Sequence, residues 1–244
     1  MSDSQLTSMH PELDLGRTIR PGLDILANEI VIALKKRTRF AHNAPVYAPG
    51  LVRAAPHRSL LDYELHIVER GHAELGRYLY AGQESFSDVS AVQPVIVRET
   101  PSSPVTRMHS GCGPRIVEFY RQWIHTACKP GDDSNSYGET VTADVNALLN
   151  IMERVNLGKF VAESKIRQAP ERFVQTGGDR EAILALIRHR DREQDVFNLA
   201  RRLAEHYQLA PEHAVSVFEF MVELTIDIEI DYIRMRLDSG QIGA

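Results

Sequence analysis

Arg154 and Lys165 stand at the two ends of a twelve-residue segment, Arg154-Val155-Asn156-Leu157-Gly158-Lys159-Phe160-Val161-Ala162-Glu163-Ser164-Lys165. On an α-helix that separation is close to three full turns, so both cations would point to one side, about 16 Å apart. Such a face can hold a small anion at two points. Phe160 and Val161 alternate with small residues, which suits a helix lying inside a bundle. Lys and Arg are mostly exposed, so the plain reading is two solvated ends of an amphipathic helix. If the face is buried, each cation needs a partner.

Two further stretches offer polar groups at helical spacing. Thr225 and Glu229 are four residues apart, set among Leu224, Ile228 and Ile230. Burial of that face would favour the neutral acid of Glu229, which can donate a hydrogen bond. The competing reading is a partly solvated carboxylate beside Asp227 and Asp231. His189 and Glu193 share a face with Arg192 one residue aside, although Arg188, Arg190, Asp191 and Asp195 make a solvated surface the default there. Glu69 and His72 have the Glu-x-x-His spacing of helical carboxylate metal sites, but those sites need two such motifs and two more carboxylates. Only one copy is present, so no metal site is expected. Cys112 and Cys128 lack paired metal-ligand spacing, and Ser110-Gly111-Cys112-Gly113-Pro114 reads as a loop with no strand before it. No nucleophile and base stand together. Polar groups on three helices without a nucleophile suggest a site that orients and polarises its substrate.

Helices must position these groups. Leu23, Leu26, Ala27, Ile30, Val31 and Leu34 mark a helix from Pro21 to Arg37, with Pro21 in its first turn. A second is expected from Ser59 to about Tyr80, with Leu61, Leu65, Val68 and Leu75 buried. Others are expected at about 115–128, 140–168, 179–188, 190–207 and 211–237, the last carrying a stripe of Val217, Met221, Leu224 and Ile228. Prolines 94, 101, 104 and 114 break the stretch from about 81 to 114, an irregular connection long enough to be a surface excursion or a regulatory lobe. The expected architecture is an all-α, multi-helix bundle. It forms one domain over 1–244, with 1–18 a flexible N-terminal segment.

The 244 residues are 43% hydrophobic and 25% charged, as in ordinary globular proteins, and the formal net charge of -5 gives no basic footprint for nucleic acid. No apolar run nears the roughly 18 residues of a membrane span, and the first residues lack a basic region followed by an apolar one. With its two cysteines, the chain reads as cytoplasmic.

From Ile19 to Leu237 the chain resembles the all-helical chorismate mutases, most closely the larger type of fungi and plants. The resemblance rests on the Arg154–Lys165 segment, on Ser59–Leu65 with Glu69 and His72 beyond it, on Asn135-Ser136-Tyr137-Gly138, and on Thr225–Leu237. It implies rearrangement of chorismate to prephenate on the route to phenylalanine and tyrosine, with no cofactor and no covalent intermediate. In such a reaction two substrate carboxylates are clamped in a compact shape and the ether oxygen, which gains negative charge, receives hydrogen bonds. By resemblance Arg20 and Arg154 bind carboxylates, a task suited to the planar guanidinium. Lys165 bonds the ether oxygen and a carboxylate, Glu193 faces the substrate hydroxyl, Thr225 supports a carboxylate, and a protonated Glu229 is the second donor to the ether oxygen.

The chain departs from that pattern in places. His189 stands where the family carries Asn or Asp. Pro21-Gly22 follows Arg20 and bears on its reach, and Arg192 before Glu193 is similar to the short bacterial enzymes, so it could assist the clamp. The larger enzymes often bind aromatic amino acids at a dimer-interface site; Arg77 and Gly138 match it, while Gly76 replaces an arginine and Glu139 a small hydroxyl residue. The resemblance thus implies a homodimer with weak or absent effector control. The same fold leaves open pyruvate elimination from isochorismate or rearrangement of an amino-substituted chorismate, and a non-catalytic helical regulator is the reading from another class.

Overall fold

In the computed structural model, residues 13–97, 99, 102–240 and 242 are described. Nine α-helices order the described residues, with no strand among them and only two isolated bridges. The all-α expectation holds.

Helix α1, Arg20–Arg37, carries Pro21 in its first turn, and its last turn places Lys35, Lys36 and Arg37 against the negative end of the helix dipole. Leu26, Ala27, Ile30, Val31 and Leu34 are buried, as their spacing requires. The chain is already ordered before this helix. Residues Leu15–Ile19 form a wide π-type turn, capped by Asp14 Oδ1 accepting from the amides of Gly16 and Arg17 at 2.7 and 3.0 Å. Ser164 Oγ donates to the Leu13 carbonyl at 3.1 Å. The segment expected to be flexible over 1–18 thus includes this turn, and residues 1–12 lie outside the described part.

Helix α2, Leu60–Glu74, is capped by Ser59, whose hydroxyl accepts from the Asp62 amide at 3.0 Å. It stops six residues short of the expected end. Gly76 adopts φ 77°, a left-handed conformation that closes helices and suits glycine. Leu75 consequently leaves the buried face and is 60% exposed.

Among the described residues the connection from 80 to 112 contains no helix or strand, as expected. Polar groups of the bundle hold it down. Glu69, fully buried, accepts from Phe86 N at 2.6 Å, Ser87 N at 2.7 Å and Ser87 Oγ at 2.5 Å. Lys159 pairs with Glu84 and donates to the Met108 carbonyl at 2.9 Å, while Arg167 donates to the Pro104 carbonyl at 2.7 Å. The Glu69 motif is thus a loop anchor, and no cluster of three metal-ligating side chains occurs among the described residues.

The remaining helices are α3 Gly113–Ala127, α4 Tyr137–Asn156, α5 Gly158–Gln168, the short α6 Pro170–Val174, α7 Arg180–Ile187, α8 Arg190–His206 and α9 Pro211–Asp238. Helix α6 is absent from the sequence reading because five residues are too few to show a period. The single helix expected over 140–168 is two, α4 and α5, divided at Leu157. Leu157 keeps right-handed helical angles, φ -63° and ψ -15°, so the break is slight. At Gly158 a Cβ would lie 2.9 Å from Thr225 Cγ2, so only glycine lets α5 approach α9 this closely without a shift.

Helix α1 packs on α4, and α9 packs on both α5 and α8. A large core gathers α1, α3, α4 and the first half of α9; a smaller one gathers α5, α7 and the second half of α9. Within the larger core Arg37 is fully buried. Its Nε donates to Asp144 Oδ1 at 2.6 Å, Nη1 to the Ala41 carbonyl at 3.1 Å, and Nη2 to the His42 carbonyl and the Tyr47 hydroxyl, both at 3.0 Å. Tyr47 and Tyr120 donate to the same Asp144 carboxylate at 2.7 and 3.0 Å. No described helix is long and apolar enough to cross a membrane.

Candidate active site

Six helices and the link between α7 and α8 line a cavity of about 450 Å³. Helix α1 contributes Arg20, Leu23 and Asp24; α4 contributes Arg154; α5 contributes Gly158, Val161 and Lys165. Ile187 comes from the end of α7, and Arg188 and His189 come from the link. Arg192, Glu193, Val196, Leu199 and Arg202 come from α8, and Val222, Thr225, Ile226 and Glu229 from α9. The eight catalytic and substrate-binding residues expected from the sequence all line this one cavity. A larger cavity of about 610 Å³ under the irregular connection contains none of them.

Arg154 is 6% exposed, and its guanidinium carbon lies 5.3 Å from the centre of the Phe218 ring. Its Nε is buried without a hydrogen-bond partner among the described residues, and no carboxylate lies within ion-pair distance. Desolvation pushes its pKa down to about 10, against only the distant charge of Asp24. A buried cation in that condition is set to receive an anion. Lys165 Nζ donates to Glu229 Oε2 at 2.7 Å and to the Ile187 carbonyl at 3.0 Å. Burial raises the Glu229 carboxyl above its ordinary value, and the charge and hydrogen bond of Lys165 oppose that rise. The Thr225 hydroxyl is also buried and unpartnered among the described residues. Cation, acid and hydroxyl therefore converge with unused bonding capacity.

Arg20 has an exposed side chain at the rim, one turn before Asp24 on the same wall. The Pro21-Gly22 step leaves it at the start of α1, yet still within the cavity lining. Arg192 is exposed and pairs with Asp195 at 3.1 Å. Glu193 is held by Arg188, with Nε to Oε1 at 3.1 Å and Nη2 to Oε2 at 3.3 Å.

Comparison with known proteins finds chorismate mutases. Residues 137–230 match the family model described as chorismate mutase type II. The chain is 29% identical to the chorismate mutase of Emericella nidulans, covering 97% of each, and 26% identical to that of Schizosaccharomyces pombe, covering 90% of this chain and 95% of the other. The chorismate mutase of Candida albicans, solved as a complex with L-Trp, superposes with a TM-score of 0.85 over 93% of this chain and 92% of that one, at 25% identity. Over nearly its whole length the chain is similar to chorismate mutases of fungi, and it shares their all-helical fold.

Within that family frame, two sets of residues fall differently from the sequence reading. Arg188 stands among the charges of an expected solvated face, but it lines the cavity and is only 24% exposed. Its position beside His189 and five residues before Glu193 was the available signal, hidden by the density of charge around it. Asp24 and Arg202 also line the cavity and carried no sequence signal beyond their helical faces. The effector candidates do not come together in one chain. Arg77 pairs with Glu153 beside a cavity of about 350 Å³, while Gly138 and Glu139 line a separate one with Lys36 and Arg39.

Proposed function

We propose that this chain converts chorismate to prephenate by electrostatic clamping, with Arg154, Lys165 and Glu229 acting at the reacting atoms. The observation that carries the reading is the buried, unpaired Arg154 in the same cavity as the Lys165–Glu229 pair. Chorismate brings two carboxylates and an ether oxygen. Arg154 and Arg20 receive the carboxylates, and Thr225 supplies a hydroxyl to one of them. Lys165 donates to the ether oxygen as negative charge grows there, and Glu229 in its protonated form donates from the other side. Those bonds strengthen toward the transition state, so they lower the barrier as well as the dissociation constant. Glu193, His189 and Arg192 orient the ring end. Every step is accomplished by side chains of this chain holding one substrate shape, without a covalent intermediate.

Incubating the purified protein with chorismate and identifying the product tests the reading. Prephenate that disappears in the Lys165→Ala variant is the expected result. Pyruvate from isochorismate, without prephenate from chorismate, would move the chemistry to elimination; no turnover of either would leave a non-catalytic helical protein.

A homodimer, a cytoplasmic setting and weak or absent control by tryptophan or tyrosine belong to the same proposal. The exposed Ile67, Leu75 and Leu79 on α2 and the turn after it support a pairing surface. The engagement of Arg77 by Glu153 and the carboxylate of Glu139 beside Gly138 support weak binding of a carboxylate-bearing effector. Sedimentation measures the first, and substrate saturation with and without each amino acid measures the last.

A further inference from the structure

We infer that Arg188 is a positioning and specificity residue: its guanidinium fork holds Glu193 as a charge-compensated acceptor for a neutral hydroxyl of the substrate. This deepens the proposed function and rests on it for the identity of the substrate.

The link between α7 and α8 is short and extended, with Arg188 at φ -77°, ψ 128° and His189 at φ -133°, ψ 91°. It is tied at its α7 end by two contacts. The Arg188 amide donates to the Leu184 carbonyl at 2.9 Å, and the Ile187 carbonyl accepts from Lys165 Nζ at 3.0 Å. The residue that touches Glu229 therefore also fixes the backbone from which Arg188 projects.

From that base the guanidinium reaches two carboxylates. Nε and Nη2 take separate oxygens of Glu193 at 3.1 and 3.3 Å, and Nη2 also pairs with Glu223 on α9. Glu193 is 15% exposed and Glu223 is 59% exposed, so the outer carboxylate anchors the fork near solvent while the inner one lines the cavity. A carboxylate has about four acceptor directions. The fork occupies two and leaves room for a donor from the substrate. Because Arg is always protonated, it holds Glu193 as an acceptor and cancels most of its attraction for a cation. A neutral hydroxyl is then accepted well, and an ammonium in the same place meets the Arg188 charge. The arrangement selects a hydroxylated ring over an amino-substituted one.

The test compares Arg188→Ala, Arg188→Lys, Glu193→Gln and the Arg188→Ala/Glu193→Gln pair on chorismate and on its analogue with an amine in place of the ring hydroxyl. Loss of a charge-assisted fork is expected to lower kcat/KM for chorismate by about 10- to 100-fold. The amine analogue should lose less or gain, so the hydroxyl-to-amine preference shrinks. Lysine, a point charge without the fork, should restore part of the loss. The double variant should be little worse than the worse single, since both changes remove one unit. Equal losses on both substrates, or losses that add in full, would overturn the assignment and leave Arg188 with a structural role. Thermal melts of each variant separate folding from function. Calorimetric binding of both compounds gives a readout apart from turnover: binding without prephenate formation would sink the proposed reaction while the preference ratio still decides the role of Arg188. Absence of binding to wild type overturns both.

Discussion

Arg37 and Arg154 are both buried arginines facing helices of the same bundle, and they differ in what their donors meet. Arg37 has a carboxylate at 2.6 Å, three carbonyls and a tyrosine hydroxyl. Burial works against its charge, yet Asp144 and Tyr47 raise its pKa above the ordinary value. Arg154 has an aromatic face, a distant aspartate and an unpartnered Nε, and its pKa falls. The carboxylates repeat the contrast. Glu69 accepts three hydrogen bonds from the chain it anchors, whereas Glu229 accepts one from Lys165 and faces a cavity. A polar group whose bonds are all made within the protein holds the fold together; one left with bonds to make is available to a ligand.

Substitutions can break that comparison. The largest effect should come from Arg37→Ala, which strands Asp144 in the core and should cost about 3–5 kcal/mol of stability in a urea melt. If the melt barely moves, saturation of hydrogen bonds does not mark a structural role. Arg154→Ala should do the reverse, lowering kcat/KM by about 10²–10³ while the melt shifts far less than for Arg37→Ala. A large stability loss with normal activity in the folded fraction would reverse the roles of the two arginines.

Smaller effects sharpen the carboxylates. Glu69→Gln should cost about 1–3 kcal/mol and loosen 85–88 to proteolysis, with turnover kept. Glu229→Gln should act on the pH profile. The raised pKa means that the acid donates below it and that this donor is lost as pH rises through it, so wild-type activity should fall on the alkaline side. Gln keeps an N–H donor at every pH and should remove that decline. A variant that still declines in step with wild type would contradict a protonated Glu229. Least disruptive is Thr225→Val, which deletes an unpartnered hydroxyl: stability should change by less than about 0.5 kcal/mol while KM rises several-fold.

Much of the scaffold was legible because helical periodicity is a local property. The buried positions of α1 and the stripe Val217, Met221, Leu224 and Ile228 on α9 followed from spacing alone. The end of α2 did not, since a left-handed Gly76 overrides an apolar pattern that continues to Leu75. The division at Leu157 was equally hidden, because its dihedral angles stay helical and the close approach of Gly158 to Thr225 spans distant parts of the chain. The candidate site was legible mainly through family resemblance. Without it, Arg154, Lys165, His189 and Glu193 were as readily read as solvated charge.

By itself, the sequence determined where helices form, which of their faces are apolar, and which polar residues could share a face. Tertiary structure decided which charges are spent and which are left over. Arg37 reaches Asp144 across 107 residues, Lys165 reaches Glu229 across 64, and Arg188 reaches Glu223 across 35, none of which a helical period can express. Hydrogen bonding is short-ranged in space and indifferent to chain separation, so whether a buried cation is satisfied or waiting is settled only when the helices pack.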